Sequence, residues 1–427
     1  MTYYQKRDGQ INFLFLLTLV INLVIPKAGV KIGGIPLTLG NLMIALLLIY
    51  SLIIGDIGNR KIKSASLFYI VGLCFWCVRF FISIGTGSTF SDVIGYLIPL
   101  CVYPAAFFIA PLFLTNFIQI QRVSRIIFWC LFCLFCYTML QAIFGIGSVD
   151  IPGITVNYSD YASNPSGWWL EKSNAVGSAS KMVSTYQNGN LFGVTIILLF
   201  PVALSSEKNK YMKVFFWALF VLSVLLAGSR TVYFGLAILV IYYIVRSALH
   251  MQISIRKLVT ILAGAVVVVF SVCFAITRFA SDMFHRIMSF FDMDTMLQGA
   301  GRTKGAVEYF TWLAKQPVAF LFGGYGMDYD GFAYEMTYIC VFLLGGLVGF
   351  ILFIIFLWCA TGRVLFNLFH KDALSRALLI GILTYWIIAF VEGGYWLPPV
   401  AWNVWMMTGL ARCYIIIYEK RCYRKKS

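Results

Sequence analysis

The sequence predicts an all-α integral membrane protein: one polytopic domain over residues 1–427 with about twelve transmembrane helices and two large outer loops. Three observations carry this expectation. The chain is 61% hydrophobic and only 12% charged, whereas soluble domains hold about 25% charged residues. Apolar runs of roughly 15–25 residues, enough to cross a hydrocarbon core of about 30 Å, recur from end to end. Lysine and arginine cluster in alternate breaks between those runs, as positively charged loops are retained on the cytoplasmic side.

The expected spans are 11–25, 37–54, 67–85, 92–114, 126–144, 189–204, 214–228, 232–246, 258–277, 336–360, 377–397 and 400–418. The first follows Lys6 and Arg7 without a small-residue cleavage site, which reads as an uncleaved first helix rather than a signal peptide. With both termini cytoplasmic, 22 of the 33 Lys/Arg and five of the 17 Asp/Glu fall inside, leaving the inner side at +17 and the remainder at −1. The net charge of +16 is therefore a topology signal. A nucleic-acid footprint would need a soluble basic domain to carry it, and none is visible.

The eleven cysteines lie almost entirely within spans, where Cys74, Cys77, Cys130, Cys133 and Cys136 read as polarizable packing residues rather than a redox or zinc site. His250, His285 and His370 are too scattered for a metal cluster. Two connections are long, 145–188 and 278–335, and both fall outside by the charge count. Long ordered loops usually carry function. The first contains Trp168-Trp169, which suit membrane-interface anchoring before sugar stacking. The second has amphipathic stretches at 279–291 and 303–314, expected to be short surface helices, and runs through Gly323-Gly324-Tyr325-Gly326. No repeat of two six-helix halves is visible, which argues against the commonest twelve-span transporter plan.

Ionisable groups at the outer membrane edge are costly unless they pair or bind something. Arg230, Arg302, Arg278, Arg286 and Glu335 fall there, and Arg79 and Glu392 fall within spans, toward the outer half. Arginine's planar fork matches phosphate oxygens. For Arg278 and Arg286, pairing with Asp282, Asp292, Asp294 and Glu308 or with phospholipid headgroups is the simpler reading. Arg79 and Glu392 suit either pairing with each other or lining a substrate cavity. Asp292-Met293-Asp294 and Asp328-Tyr329-Asp330 read as solvated loop acids. No dinucleotide-binding glycine pattern, P-loop or zinc spacing is present.

Three ordered patches resemble the O-antigen ligases and Wzy-type O-antigen or capsule polymerases. Ala227-Gly228-Ser229-Arg230 looks like that family's Gly-Ser-Arg-Gly patch, with Thr231 in place of the glycine. Gly301-Arg302, Trp312, Pro317 and Gly324-Tyr325-Gly326 resemble its outer-loop pattern. Gly346 and Gly349 fall eleven and fourteen residues after Glu335, so Glu335-Met336 occupies the position of the ligases' His-Asn. A fourth, weaker match runs from Lys181 to Asn190, with Lys181 replacing the usual arginine. The resemblance spans roughly 181–350.

The resemblance implies a GT-C-like, metal-independent glycosyltransferase without cofactor in a bacterial inner membrane. Its donor and acceptor would be undecaprenyl-pyrophosphate-linked glycans, joined at the periplasmic face. Arg302 and Arg230 would stabilise the leaving pyrophosphate and Glu335 would act as general base, although a salt-bridge role for Glu335 stays open. Lys181, Arg278, Arg286, Tyr325 and Arg79 would contact substrate. The acidic residue at 335 favours polymerase over ligase, and a Wzz-type chain-length regulator is the implied protein partner beside membrane lipids. A lipid-glycan flippase or other transporter is the alternative from a different class.

Overall fold

The computed structural model describes residues 11–424 apart from 33–34, 55–63, 166, 169–180, 251–306, 308–309, 325–335, 363, 366–371 and 393. In chain order come α1 (Phe13–Val24), β1 (Gly29–Ile32), β2 (Ile35–Thr38), α2 (Leu39–Ile54), α3 (Ser64–Gly85) and α4 (Phe90–Leu97). α4 continues through a π turn and a 3-10 turn into α5 (Ala106–Phe113), and α6 (Phe117–Phe144), α7 (Ile146–Val149) and α8 (Tyr158–Ser163) follow. The remainder is α9 (Gly189–Ser206), α10 (Lys210–Ala227), α11 (Arg230–His250), α12 (Pro317–Phe322), α13 (Thr337–Leu357), α14 (Ala373–Glu392) and α15 (Pro398–Arg424).

Among the described residues eight helices are long and apolar enough to cross a membrane, and α1 and α2 are shorter apolar helices. The chain is thus a multi-pass, predominantly helical membrane protein. Each expected run on described residues carries a helix, whereas 258–277 lies outside the described residues. The π and 3-10 turns between α4 and α5 follow from Pro99 and Pro104, which lack the N–H that an unbroken α-helix needs.

The helical expectation holds for the described residues, with one short exception. The break between the first two runs is an antiparallel hairpin, β1–β2, pairing Val30 with Leu37 and Lys31 with Pro36. Val30 and Ile32 favour extended backbone, in a segment too short to register as an element of its own.

Polar caps set the helix ends. Asn12, Asn116, Asn188 and Asn209 each accept a backbone N–H from the first turn that follows them, satisfying donors that have no partner within the helix. Gly228 adopts the left-handed conformation at φ 62° and stops α10.

Burial orders the bundle. In α9, 89% of the apolar window is buried, against 17% in α3, so α9 is the central post and α3 stands at the lipid-facing rim. α9 packs chiefly on α14 and α6. Glycine makes this closeness possible: a Cβ on Gly381 would meet the Leu198 carbonyl at 2.3 Å.

At one end of the bundle the C-termini of α1, α6, α10 and α14 meet the N-termini of α9, α11 and α13. The links are Tyr186 Oη to the Leu23 carbonyl at 2.9 Å, Met182 N to Leu226 O at 2.9 Å, and Tyr338 Oη to Trp386 O at 3.2 Å. These are the ends that the charge count expects outside.

The described part of the first long loop is ordered on its own small core, Ile146, Val156, Trp168 and Val183. Trp168 is only 4% exposed, with Lys27 Nζ lying 5.3 Å from its ring centre. The expectation of interface anchoring or sugar stacking is corrected for Trp168. Its neighbour Trp169 lies outside the described residues.

Candidate functional site at one end of the bundle

The segment from Lys181 to Asn190 is pinned from three sides before it reaches the site. Ser184, at the unusual φ of 51°, exchanges two hydrogen bonds with the buried Gln141 side chain: its N–H donates to Oε1 at 2.8 Å and its carbonyl accepts from Nε2 at 3.0 Å. Met182 is tied to Leu226. Gly189 then passes so close to α10 that a Cβ would meet the Ala227 carbonyl at 2.5 Å. The glycine in Asn188-Gly189-Asn190 is thus explained by close approach, and Asn188 by its cap on α9, with its side chain accepting from Leu191 N at 3.0 Å.

Asn190 begins the site. Its side-chain oxygen accepts from Lys181 Nζ at 3.1 Å and its amide nitrogen donates to Glu392 Oε1. With a lysine on one side and a carboxylate on the other, only this amide orientation makes both bonds. Thr231 Oγ1 donates to the second carboxylate oxygen, Oε2, at 3.1 Å. Lys181, Asn190, Glu392 and Thr231 therefore form one continuous line joining the loop exit, the start of α11 and the end of α14. Glu392 is only 6% exposed, and a buried carboxylate persists where such donors surround it.

Arg230, half-buried, is the first residue of α11 and directly precedes Thr231. A cation at a helix N-terminus and an anion at a helix C-terminus both oppose the helix dipoles, at a cost of roughly 0.3–1 kcal/mol each. For Glu392 the bonds from Asn190 and Thr231 offset that cost.

A second knot lies on α13. Gly346 (φ 61°) breaks the helix there, and a Cβ on it would meet Gly323 N at 2.4 Å. The end of α12 fits into this break, with Gly324 N donating to Leu343 O at 3.3 Å. Arg79 reaches in from α3, its Nε donating to Leu344 O at 3.2 Å and Nη2 to Gly324 O. Gly349 packs on Phe75 of the same helix.

The structure thus brings together sequence patches that lie far apart. The Lys181–Asn190 segment sits on the Gly228–Arg230 turn, and the exit of α12 sits on the Gly346 break. Of the two readings of Arg79 and Glu392, pairing with each other gives way to separate partners, which include backbone carbonyls for Arg79 and Asn190 with Thr231 for Glu392. Arg79, 4% exposed, is held as a helix-break staple, where a substrate-contacting role was expected. Arg278, Arg286, Arg302, Tyr325 and Glu335, with both Asp-x-Asp triplets, lie outside the described residues. The sequence reading missed Thr231, whose only signal was its departure from a glycine pattern.

Among the described residues no group of three or more His, Cys, Asp or Glu could hold a metal ion. No protein-family model matches this chain, and neither does any curated protein or solved structure.

Proposed function

We propose that the chain is a metal-independent membrane glycosyltransferase of the polymerase type. It joins undecaprenyl-pyrophosphate-linked repeat units at the periplasmic face of a bacterial inner membrane, with both termini cytoplasmic. The observation that supports this reading is the line Lys181–Asn190–Glu392–Thr231. It holds Lys181 and Arg230, from two separated patches, at one mouth of the bundle.

In this reading the acceptor sugar's hydroxyl oxygen attacks the anomeric carbon of the donor. The bond from that carbon to the pyrophosphate oxygen breaks, the carrier leaves as polyprenyl pyrophosphate, and Glu335 takes the hydroxyl proton. Arg302, Arg230 and Lys181 offset the charge that develops on the leaving group, and such preorganised charge is usually the largest catalytic term. A GT-C-like arrangement and a Wzz-type regulator of product length belong to the same proposal.

The test is incubation of the purified protein with polyprenyl-pyrophosphate-linked repeat units, without nucleotide or added metal. A ladder of lengthened lipid-linked products supports the reading. Transfer only to a different lipid acceptor means a ligase, and movement of unlengthened units across vesicles means a flippase. Full activity in both Arg302→Ala and Glu335→Gln overturns the proposed chemistry.

A further inference from the structure

The β1–β2 hairpin has two unlike faces. Residues paired across an antiparallel ladder share a face and successive pairs alternate, so Val30 and Leu37 lie on one side while Lys31 and Pro36 lie on the other. The Lys31 side seats the first long loop: Lys31 Nζ pairs with Asp160 at 2.5 Å and Lys31 N donates to Ser159 Oγ at 2.9 Å. Beside them, Gly29 N donates to Gly153 O at 3.0 Å. The opposite face is apolar and open, with Val30 37%, Ile32 63% and Leu37 53% exposed.

A two-stranded hairpin is marginal unless it packs on something, and among the described residues the side-chain bonds that seat this one are on its Lys31 face. β2 runs directly into α2, whose Leu39, Leu42, Leu46, Ile49 and Ile53 are all exposed. Those positions recur at intervals of three and four residues, a single helical stripe, as expected of the side of a membrane helix that faces lipid. The exposed Leu37 of the hairpin stands two residues before Leu39, where that stripe begins. Unpaired strand edges are excluded from the hydrocarbon interior but tolerated at headgroup level, where water and headgroups satisfy them.

We infer that the hairpin is an interfacial float. Val30, Ile32 and Leu37 lie in the lipid leaflet that α1 and α2 enter, while Lys31 on the upper face holds the first long loop at a fixed height above the bilayer. The partner is bilayer lipid, recognised by apolar area beneath a polar rim, and the inference stands independently of the glycosyltransferase reading.

The experiment places the photoreactive residue p-benzoylphenylalanine at Ile32, Leu37, Leu46 or Asn164 of the full chain in phosphatidylglycerol-containing nanodiscs. Lipid adducts at Ile32 and Leu37 as abundant as at Leu46, with at least a tenfold lower yield at Asn164, are expected. The unmodified protein supplies a second readout. A carbene reagent dissolved in the bilayer should label Val30, Ile32 and Leu37 within the 29–38 peptide, and a water-soluble carbene should reach Lys31 and Pro36 of the upper face instead. Adducts at Ile32 and Leu37 to a polypeptide, or labelling of 29–38 by the water-soluble reagent alone, overturn the inference.

Discussion

Thr231 donates its hydroxyl to Glu392 across 3.1 Å, tying the first turn of α11 to the last residue of α14. Glu392→Ala leaves both Thr231 and Asn190 without an acceptor, and each buried donor orphaned in this way costs about 1–3 kcal/mol. Glu392→Gln keeps an oxygen for Asn190 and lets the threonine hydroxyl turn to accept. Thermal unfolding should show a clear loss for the alanine variant and a small one for glutamine, with glycan transfer falling at least tenfold in the former. Equal losses in the two variants would mean that charge matters here rather than hydrogen-bond geometry.

Arg79 holds two backbone carbonyls with one planar fork. Lysine, a point charge on a flexible stem, does not reproduce that geometry. Arg79→Lys should therefore destabilise by about 1.5–3 kcal/mol, the range for hydrogen bonds to charged groups, and raise hydrogen exchange in the peptides spanning 317–324 and 341–346. Exchange that rises elsewhere while both peptides stay protected would remove Arg79 from this role.

Gly346 and Gly72 make an internal comparison. Alanine at 346 is strained by its φ of 61° and meets Gly323 N at 2.4 Å, whereas a Cβ on Gly72 has nothing within 4 Å. Gly346→Ala should cost about 1–3 kcal/mol for the backbone strain alone and more for the clash. Gly72→Ala should gain about 0.5–1 kcal/mol in α3. Unfolding midpoints of the two variants in one detergent decide this.

Asp150 sits in the first long loop, where burial raises its carboxyl above the usual aspartate range, against the lowering effect of its bonds from Tyr137, Gln141 and Thr155. An acid with a raised folded pKa binds its proton more tightly in the folded state. Its contribution to stability is complete below the ordinary value near about 4 and is lost as pH rises through the folded value. Hydrogen exchange of 146–163 should therefore speed up on that rise beyond the intrinsic base dependence of exchange. In Asp150→Asn, which cannot ionise, the extra acceleration should disappear.

The helices were legible because a lipid-spanning run needs length and apolarity, and both are local properties of the chain. The helix termini that meet around Glu392 share one end because successive spans alternate in direction, which follows from the order of the apolar runs. The partners of Arg79 and Glu392 were not legible. Both were marked as costly, but 265 residues separate Arg79 from Leu344 and 202 separate Asn190 from Glu392, and no local pattern encodes such a meeting. Trp168 was misread because an exposed-looking loop built a small core of its own. Thr231 looked like a mere departure from a pattern until its hydroxyl was seen to serve the buried acid.

The most direct measurement compares product ladders from wild type, Arg230→Ala and Lys181→Ala reconstituted with polyprenyl-pyrophosphate-linked repeat units, without nucleotide or metal. Each variant's fold is checked by its unfolding midpoint. The account predicts lengthened products from wild type and at least a hundredfold less from Arg230→Ala, about 2.7 kcal/mol of transition-state stabilisation at 1.36 kcal/mol per tenfold change, with a smaller deficit in Lys181→Ala. Wild type that lengthens nothing, or folded Arg230→Ala that lengthens as well as wild type, would contradict it.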